Sequence, residues 1–344
     1  MTSTRRVSSG LRVAVTGATG EIGRPFIRRL ENTSGVGSIV AMARRPFTPS
    51  DHGWRRTDFV QGDVTNPDDV AKFVGGADVV VHLAFLILGD RRATRATNLS
   101  GSRNVFDATV AEGCARIVYT SSIAAYGFSA DHPPLLTEET PIADTEHFYY
   151  SAQKAELEEA LKAAVKGSKT ETFVFRPPFV GGPGAHALIL ILPHVQLTSA
   201  LPDRILVKRL LRPARMLPDF GMPVQIVHVE DVAAALCAAV VGAGKPGLYN
   251  LAAPGQLTMT DIAHELGWRA VRLPQVVAHS VAQIQRRLPA APAMSDWLQT
   301  LTVPVIMSTA KAERQLGWHA TRDAETTLRE TVASARESAL PGLS

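Results

Sequence analysis

Residues 11–23, LRVAVTGATGEIG, read as a strand, a tight turn and the opening of a helix. LRVAV (11–15) is short, mostly apolar and rich in valine, as a buried strand requires. Gly17, Gly20 and Gly23 follow at intervals of three and lead into a helical period from about Glu21 to Glu31. Glycines lacking Cβ atoms let the backbone turn sharply and approach a pyrophosphate, whose charge the helix N-terminus then faces. Glycine spacing alone is a weak signal. Here a strand precedes it, an amphipathic helix follows, and a second strand, SIVAMA (38–43), comes on schedule. A merely flexible turn leaves the three-residue period unexplained.

The same alternation continues outward. TDFVQGDV (57–64), ADVVVHLA (77–84), ARIVYTSS (115–122) and ETFVFRP (171–177) read as strands, with helices over about Asn98–Glu112 and from Tyr150 to about Lys166. Uniformly apolar strands separated by helices predict a parallel sheet covered on both faces, and right-handed crossovers make it a doubly wound α/β Rossmann architecture. The pattern loosens after Gly181. PVQIVHVEDVAAAL (223–236) and GLYNLAA (247–253) look like returns to the main sheet, and the chain beyond Gly255 looks helical with proline-rich interruptions. The expected organisation is a disordered arm over 1–10, a nucleotide domain over 11–180 plus 223–254, and a smaller, discontinuous substrate region over 181–222 plus 255–344.

The bulk composition narrows the function classes. At 344 residues, 45% hydrophobic and 20% charged, the chain is long enough for a large core and ordinary for a globular protein. Its net charge of +4 is small, and pairs such as Arg44-Arg45 and Arg55-Arg56 lack interleaved aromatics, which argues against nucleic acid as a partner. Cys114 and Cys237 make no disulfide framework and read as buried small residues. No run approaches ~20 apolar residues, and the first ten residues lack the apolar core of a secretory signal. The expectation is a cytoplasmic protein with no membrane partner. Ten histidines show no metal-ligand spacing. His82 is expected to be structural, His228 to open a strand–helix turn and Asp231 to cap a helix.

At the end of the second strand, where an NAD-binding turn usually carries an acidic residue for the ribose 2′-hydroxyl, this chain has Ala43, Arg44 and Arg45. A carboxylate repels a 2′-phosphate, whereas a guanidinium grips it with paired hydrogen bonds. NADP is therefore the expected cofactor, with NAD as the other candidate. Solvated loop arginines are the alternative. Asp63 is placed either to accept from the adenine amine or to cap the following helix.

Tyr150 and Lys154 in YYSAQK are four residues apart, on one helix face. A phenol with a reference pKa near ~10 needs a neighbouring cation to ionise near neutral pH. Ser122, in TSSIAAYG, lies 28 residues earlier and could hold a carbonyl or alcohol oxygen during proton transfer. Tyr149 lacks a cation four residues on, where the chain has Gln153.

Taken in order, TGATGEIG, GDV, VHLAF, TNLSGSRNVFDA, TSSIAAYG, YYSAQK, RPPFVGGPG, VHVEDVA, LYNLAA and KAERQLGW resemble the landmarks of the extended short-chain dehydrogenase/reductase family, which includes sugar-nucleotide epimerases and dehydratases. The resemblance implies Tyr150 as general acid/base, with Lys154 orienting the nicotinamide ribose and lowering the tyrosine pKa. It also implies Ser122 on the reacting oxygen and Asn98 supporting the catalytic site. Cofactor contacts are implied for Gly17, Thr19, Gly20, Glu21, Ile22, Gly23, Asp63, Val64, Leu83, Ala84, Lys154 and Pro177. Phe85, Ser122, Tyr150 and Phe179 are expected on the substrate, and Tyr126 near the nicotinamide. Helices 98–112 and 150–166 are those the family pairs into a homodimer, although an apolar helix face could equally meet its own sheet.

On the substrate side the chain departs from the sugar-nucleotide pattern. Arg176 is followed by Pro177, Pro178 and Phe179 instead of a polar anchor, and Phe85-Leu86-Ile87-Leu88 and HALILILPHV (186–195) suggest an apolar pocket unless they simply pack the core. Against this stand Arg204, Lys208, Arg209, Arg212 and Arg215, placed where the family holds a diphosphate. Ile123 and Ala124 after Ser122 leave no room for a dehydratase's acidic pair. The expected function is interconversion of a ketone and an alcohol on a moderately apolar small molecule. A sugar-nucleotide epimerase and a non-catalytic NADP sensor or scaffold are the alternatives.

Overall fold

The computed structural model describes residues 10–87, 94–143, 148–192, 195, 215–274 and 303–340. Leu88, Arg204, Lys208, Arg209, Arg212, two residues of the 186–195 run and the expected arm over 1–9 lie outside them.

The main sheet contains β1 (Leu11–Thr16), β2 (Val36–Ala43), β3 (Thr57–Gln61), β4 (Val79–His82), β5 (Arg116–Thr120), β6 (Glu171–Arg176) and β10 (Gly247–Asn250). Its order is β10-β6-β5-β4-β1-β2-β3, and each pairing is parallel. The order reverses between β1 and β4, so the crevice at the carboxyl ends of these strands is where a doubly wound sheet binds its ligand.

Alternation along the strands divides the core into two layers. Val13, Val15, Ile39, Ala41, Val79, Val81, Phe173 and Phe175 face one side. There they meet Phe26, Ile27 and Leu30 of α1 (Gly23–Leu30) and Val232, Leu236 and Val240 of α6 (Val229–Val240). Each such fully buried side chain contributes about 1.5–3 kcal/mol. On the opposite face Ala14, Val40 and Val80 pack with Val70 and Phe73 of α2 (Pro67–Val74) and Val105 of α3 (Ser102–Glu112). Further along that face Ile117, Tyr119 and Val174 meet Phe106 of α3 and Leu157 and Leu161 of α4 (Tyr149–Ala164). The apolar residues of α3 and α4 thus cover their own sheet. Their outer faces carry the Arg103–Glu156 ion pair at 2.6 Å and no exposed large apolar side chain among the described residues.

Several expectations are corrected here. Ile226–His228 (β9) does not rejoin the main sheet but pairs in parallel with Phe179–Gly181 (β7) in a two-stranded sheet of its own. A second small sheet pairs Met216–Asp219 (β8) with Arg269–Arg272 (β11), a strand inside the stretch expected to be helical. Ala310–Leu316 (α8), expected in the smaller region, places Ala312 and Leu316, with neighbouring Trp318, in the main-sheet core. The smaller layer gathers Leu188 and Ile189 of α5 (Ala187–Leu190), Leu217, Ile262 and Leu266 of α7 (Met259–Leu266), and Leu328 and Val332 of α9 (Ala324–Glu337).

Asp63 does not cap α2. Asn66 does, accepting from Asp68 N at 3.0 Å, while Asp63 accepts from Thr65 N and Oγ1, both at 2.9 Å. Nor is Asp231 a cap: His228 caps α6, accepting from Glu230 N at 3.1 Å, and Asp231 accepts from Thr321 Oγ1 at 2.6 Å.

Candidate functional site

The glycine turn is packed so closely against its own backbone and that of the β4 end that two of its positions exclude a side chain. Gly17 has φ 71°, and a Cβ on it would lie 2.7 Å from Ala84 N. A Cβ on Gly23 would lie 2.2 Å from Gly17 O. Gly20 is exposed at the mouth of this turn, ahead of the α1 N-terminus. Glu21, expected among cofactor contacts, uses its carboxylate elsewhere: it accepts from His186 N at 3.0 Å and Ala187 N at 3.4 Å, fastening the turn to the smaller layer. Burial raises its pKa and these two backbone bonds oppose the rise.

A cleft of about 430 Å³ runs from Gly17, Gly20, Glu21, Ile22 and Gly23 past Leu83 and Pro177 to Ser122, Tyr150 and Lys154. Ser122 lies two residues beyond β5 and caps a single turn over Ile123–Tyr126, accepting from Ala124 N at 3.2 Å. Ile123 N donates to Pro177 O at 2.9 Å, which joins the ends of β5 and β6. Ser151 of α4 donates to Ala124 O, so the helix bearing Tyr150 is fixed against the turn bearing Ser122. The Ser122 hydroxyl hydrogen-bonds Tyr150, and Lys154 Nζ donates to Thr120 O at 3.0 Å.

The ammonium does not draw the phenol towards neutral pH in this structure. Burial pushes Tyr150 up to about 12, and the Ser122 bond only partly offsets it. Burial pushes Lys154 down to about 7, opposed by the Glu158 carboxylate. Lys154 Nζ lies 5.9 Å from the Tyr150 ring centroid but 3.7 Å from that of Phe85. Desolvation is the largest influence on each group: Lys154 is buried, and Tyr150 is half-buried in the cleft wall.

Glu158 continues the Tyr150–Lys154 face by one more turn. It forms a buried pair with Arg176: Arg176 Nε donates to Oε1 at 2.9 Å and Nη2 to Oε2, while Ser121 Oγ donates to Oε1 at 2.5 Å. Tyr126 lies beneath the cleft and not in its lining. Its hydroxyl donates to Thr137 O or Asn250 Oδ1, each at 2.9 Å, and the Arg176 guanidinium stands 4.1 Å from its ring centroid.

Asn98 is also absent from the lining. It sits in a π-helical turn over Ala96–Gly101, accepts from Leu86 N at 2.8 Å and donates to Leu86 O at 3.0 Å and Gln153 Oε1 at 2.8 Å. It ties the loop after β4 to α4 and reaches the reactive groups only through them. His82 is structural as expected: Thr16 Oγ1 at 2.7 Å and Ser102 Oγ at 2.8 Å occupy its ring nitrogens, and burial lowers it to about 3. Arg44 and Arg45 are exposed just beyond β2. They lie outside the cleft lining, and so do the less exposed Thr19, Asp63, Val64 and Ala84. Cys114 and Cys237 are buried and free.

The sequence reading missed much of the cleft wall. Phe128, Phe148, Pro178, Val224, Val303 and Val305 line it together with Phe85, Phe179 and Leu188. Gln225 is among the few polar lining residues, and both ends of its amide are occupied by Met307: Nε2 donates to O at 3.0 Å and Oε1 accepts from N at 2.8 Å. No cluster of His, Cys, Asp and Glu able to hold a metal occurs among the described residues, and no described helix is long and apolar enough to cross a membrane.

Comparison with known proteins fits this geometry: the sequence pattern of the NAD dependent epimerase/dehydratase family matches residues 13–252. The chain belongs to that family. As a family member it is 30% identical to a ceramide reductase of Caulobacter vibrioides over 229 residues, 66% of this chain and 60% of the relative. A 2-alkyl-3-oxoalkanoate reductase of Shewanella oneidensis is 30% identical over 183 residues, 51% of this chain and 46% of the relative. The chain thus matches about half of each of these relatives. Among solved structures, a short-chain dehydrogenase/reductase superfamily protein from Agrobacterium tumefaciens with bound NAD has a TM-score of 0.70 at 19% identity, covering 95% of this chain and 98% of that one. UDP-glucose 4-epimerase of Thermotoga maritima with UDP-glucose scores 0.68 at 18% identity, covering 96% and 100%. At these identities both share the fold.

Proposed function

We propose that the protein is an NADP-dependent oxidoreductase that interconverts a ketone and an alcohol on an apolar small molecule. The observation that carries this reading is the joining of Ser122, Tyr150 and Lys154 to the glycine turn through one cleft whose other walls are overwhelmingly apolar. A nicotinamide dinucleotide held by Gly17, Gly20, Gly23 and Lys154 supplies the hydride chemistry there. Tyr150, kept neutral by burial, donates its proton to a carbonyl oxygen on reduction and, once ionised, takes one from an alcohol on oxidation. Ser122 hydrogen-bonds the same oxygen. Lys154 places a cation next to the phenol, which stabilises its ionised form as charge develops.

The wall chemistry selects the substrate class. A sugar diphosphate needs several charged or polar partners, and a phosphate left without them is costly to bury. Phe179 stands where a polar anchor is expected, and the Gln225 amide is already engaged by Met307. A lipophilic ketone needs only one polar contact, which Tyr150 and Ser122 provide. The named relatives that reduce lipid-like substrates support the same class.

The exposed Arg44 and Arg45 beyond β2 support NADP. The test is turnover against a panel of lipophilic ketones, alcohols and nucleotide sugars with either cofactor. Tyr150→Phe is expected to lower kcat by about 10²–10⁴ while leaving nicotinamide fluorescence on binding intact. Retained turnover refutes the tyrosine assignment. An NAD preference unchanged by Arg44→Ala refutes the cofactor assignment.

A further inference from the structure

Phe85 is the first residue after VHLA at the end of β4, and its ring meets both groups of the tyrosine–lysine pair. Lys154 Nζ stands 3.7 Å from the Phe85 ring centroid, and the Tyr150 ring meets Phe85 edge to face, with centroids 5.6 Å apart and an interplanar angle of 86°. The adjoining backbone is held firmly. Asn98 bonds both the N–H and the C=O of Leu86 and also reaches Gln153, the residue before Lys154. The loop carrying the ring is therefore fastened to the same helix that carries the ammonium.

An ammonium has three N–H donors, and Lys154 is 2% exposed. One donor meets Thr120 O at 3.0 Å. The charged and titratable groups facing Lys154 are Tyr150 and Glu158 on α4, His82 on β4 and Tyr119 on β5. None supplies an unshared countercharge. Glu158 is already paired with Arg176 and Ser121, His82 is neutral, and both phenols are kept un-ionised by burial. The Tyr119 ring centroid is farther away, at 5.2 Å. The negative face of the Phe85 ring is thus the nearest electron-rich surface offered to the cation besides Thr120 O.

We infer that Phe85 is a positioning residue for Lys154, its ring face fixing the ammonium beside Tyr150 and helping to keep it charged inside an apolar cleft. A leucine of similar bulk fills the space but has no quadrupole. This inference rests on the function proposed above only in assigning Lys154 a chemical role. The placement itself can be measured without turnover.

The test follows the Lys154 15Nζ signal in full-length protein labelled with 15N-lysine, identified by its loss in Lys154→Met, as a function of pH. In the parent protein the midpoint is expected near the value of about 7 that burial imposes. Phe85→Leu and Phe85→Met are each expected to raise the acid dissociation constant of that ammonium roughly tenfold, a downward shift of about one pH unit, the scale of a desolvated cation–π contact. Phe85→Tyr, which keeps the ring face, should titrate like the parent. A titration unchanged in whichever of the Leu and Met variants folds overturns the inference, as does a Tyr variant that shifts as far as they do.

With an active substrate in hand, the alkaline limb of kcat/KM should move to lower pH by the same amount. A raised KM with an unmoved limb would make Phe85 a wall for substrate and overturn the positioning role. A shifted NMR titration in a protein that turns over no carbonyl substrate would leave this inference standing and the proposed reaction refuted.

Discussion

Replacing Glu158 by glutamine isolates the charge behind the reactive helix face. The Arg176 side chain is 4% exposed and that of Glu158 9%, so water screens neither. Glu158 accepts from Arg176 Nε at 2.9 Å and from Ser121 Oγ at 2.5 Å, and Arg176 Nη1 finds no acceptor of its own. Glu158→Gln keeps the shape and one acceptor oxygen but leaves a buried guanidinium without its counterion. Breaking one partner of such a pair costs about 3–5 kcal/mol, whereas an exposed pair contributes about 0–1. The expected loss in urea unfolding is therefore about 3–5 kcal/mol, a large part of a typical total stability of ~5–15. Glu158→Leu with Arg176→Met should recover most of it, since two apolar residues remove the unpaired charge. Glu158 also raises the pKa of Lys154, so its loss should move the Lys154 titration to lower pH. A single-variant loss below about 1 kcal/mol, or a double variant that simply adds the two single losses, would refute the buried-pair account.

Gly23→Ala should destabilise the protein and abolish nicotinamide binding, because its Cβ would lie 2.2 Å from Gly17 O and 2.6 Å from Ala18 O. Overpacking of this kind costs about 1–3 kcal/mol or more. Gly20→Ala, with 3.2 Å to Gly17 O, should destabilise less, and equal losses in calorimetry would contradict the packing argument. His82 makes stability depend on acid. In the unfolded chain it takes a proton at its ordinary 6.5, while the buried ring resists until about 3. Its contribution is complete above about 6.5 and drains away as pH falls towards 3, with a slope of up to about 1.4 kcal/mol per pH unit. Urea midpoints between pH 6.5 and 4.5 should fall more steeply in the parent than in His82→Gln; parallel curves would refute it.

The glycine turn, the main strands and the Ser122, Tyr150 and Lys154 constellation were legible because each leaves a local mark: a three-residue glycine period, unbroken apolar runs, an i,i+4 pair. What failed depended on distant partners. RAVR (269–272) is polar and largely exposed, so no apolar run announces β11. Ile226–His228 is buried like a main-sheet strand, yet its partner is Phe179–Gly181, a choice local sequence does not encode. Asp231 has the look of a cap, but the cap is His228, three residues earlier. The resemblance gave Asn98 a supporting role, but its partners could not be read from the sequence. The π-helical turn aims it at Leu86 and Gln153. The engagement of Gln225 by Met307 joins residues 82 positions apart, beyond any periodicity argument.

The fastening of the β7 loop to α9 has a consequence for the order in which the molecule is made. Thr331 Oγ1 accepts from Gly182 N at 2.6 Å and Ser334 Oγ from Gly184 N at 3.1 Å, joining residues 149 and 150 positions apart. During synthesis the first six sheet strands emerge together and can pair before translation ends, since domains tend to fold from the N-terminus. The loop that leads from Phe179 to His186 must wait until residue 334 has left the ribosome. For that interval the glycine turn and the reactive helix exist beside an unclosed apolar wall, which makes that wall the last part of the molecule to be completed.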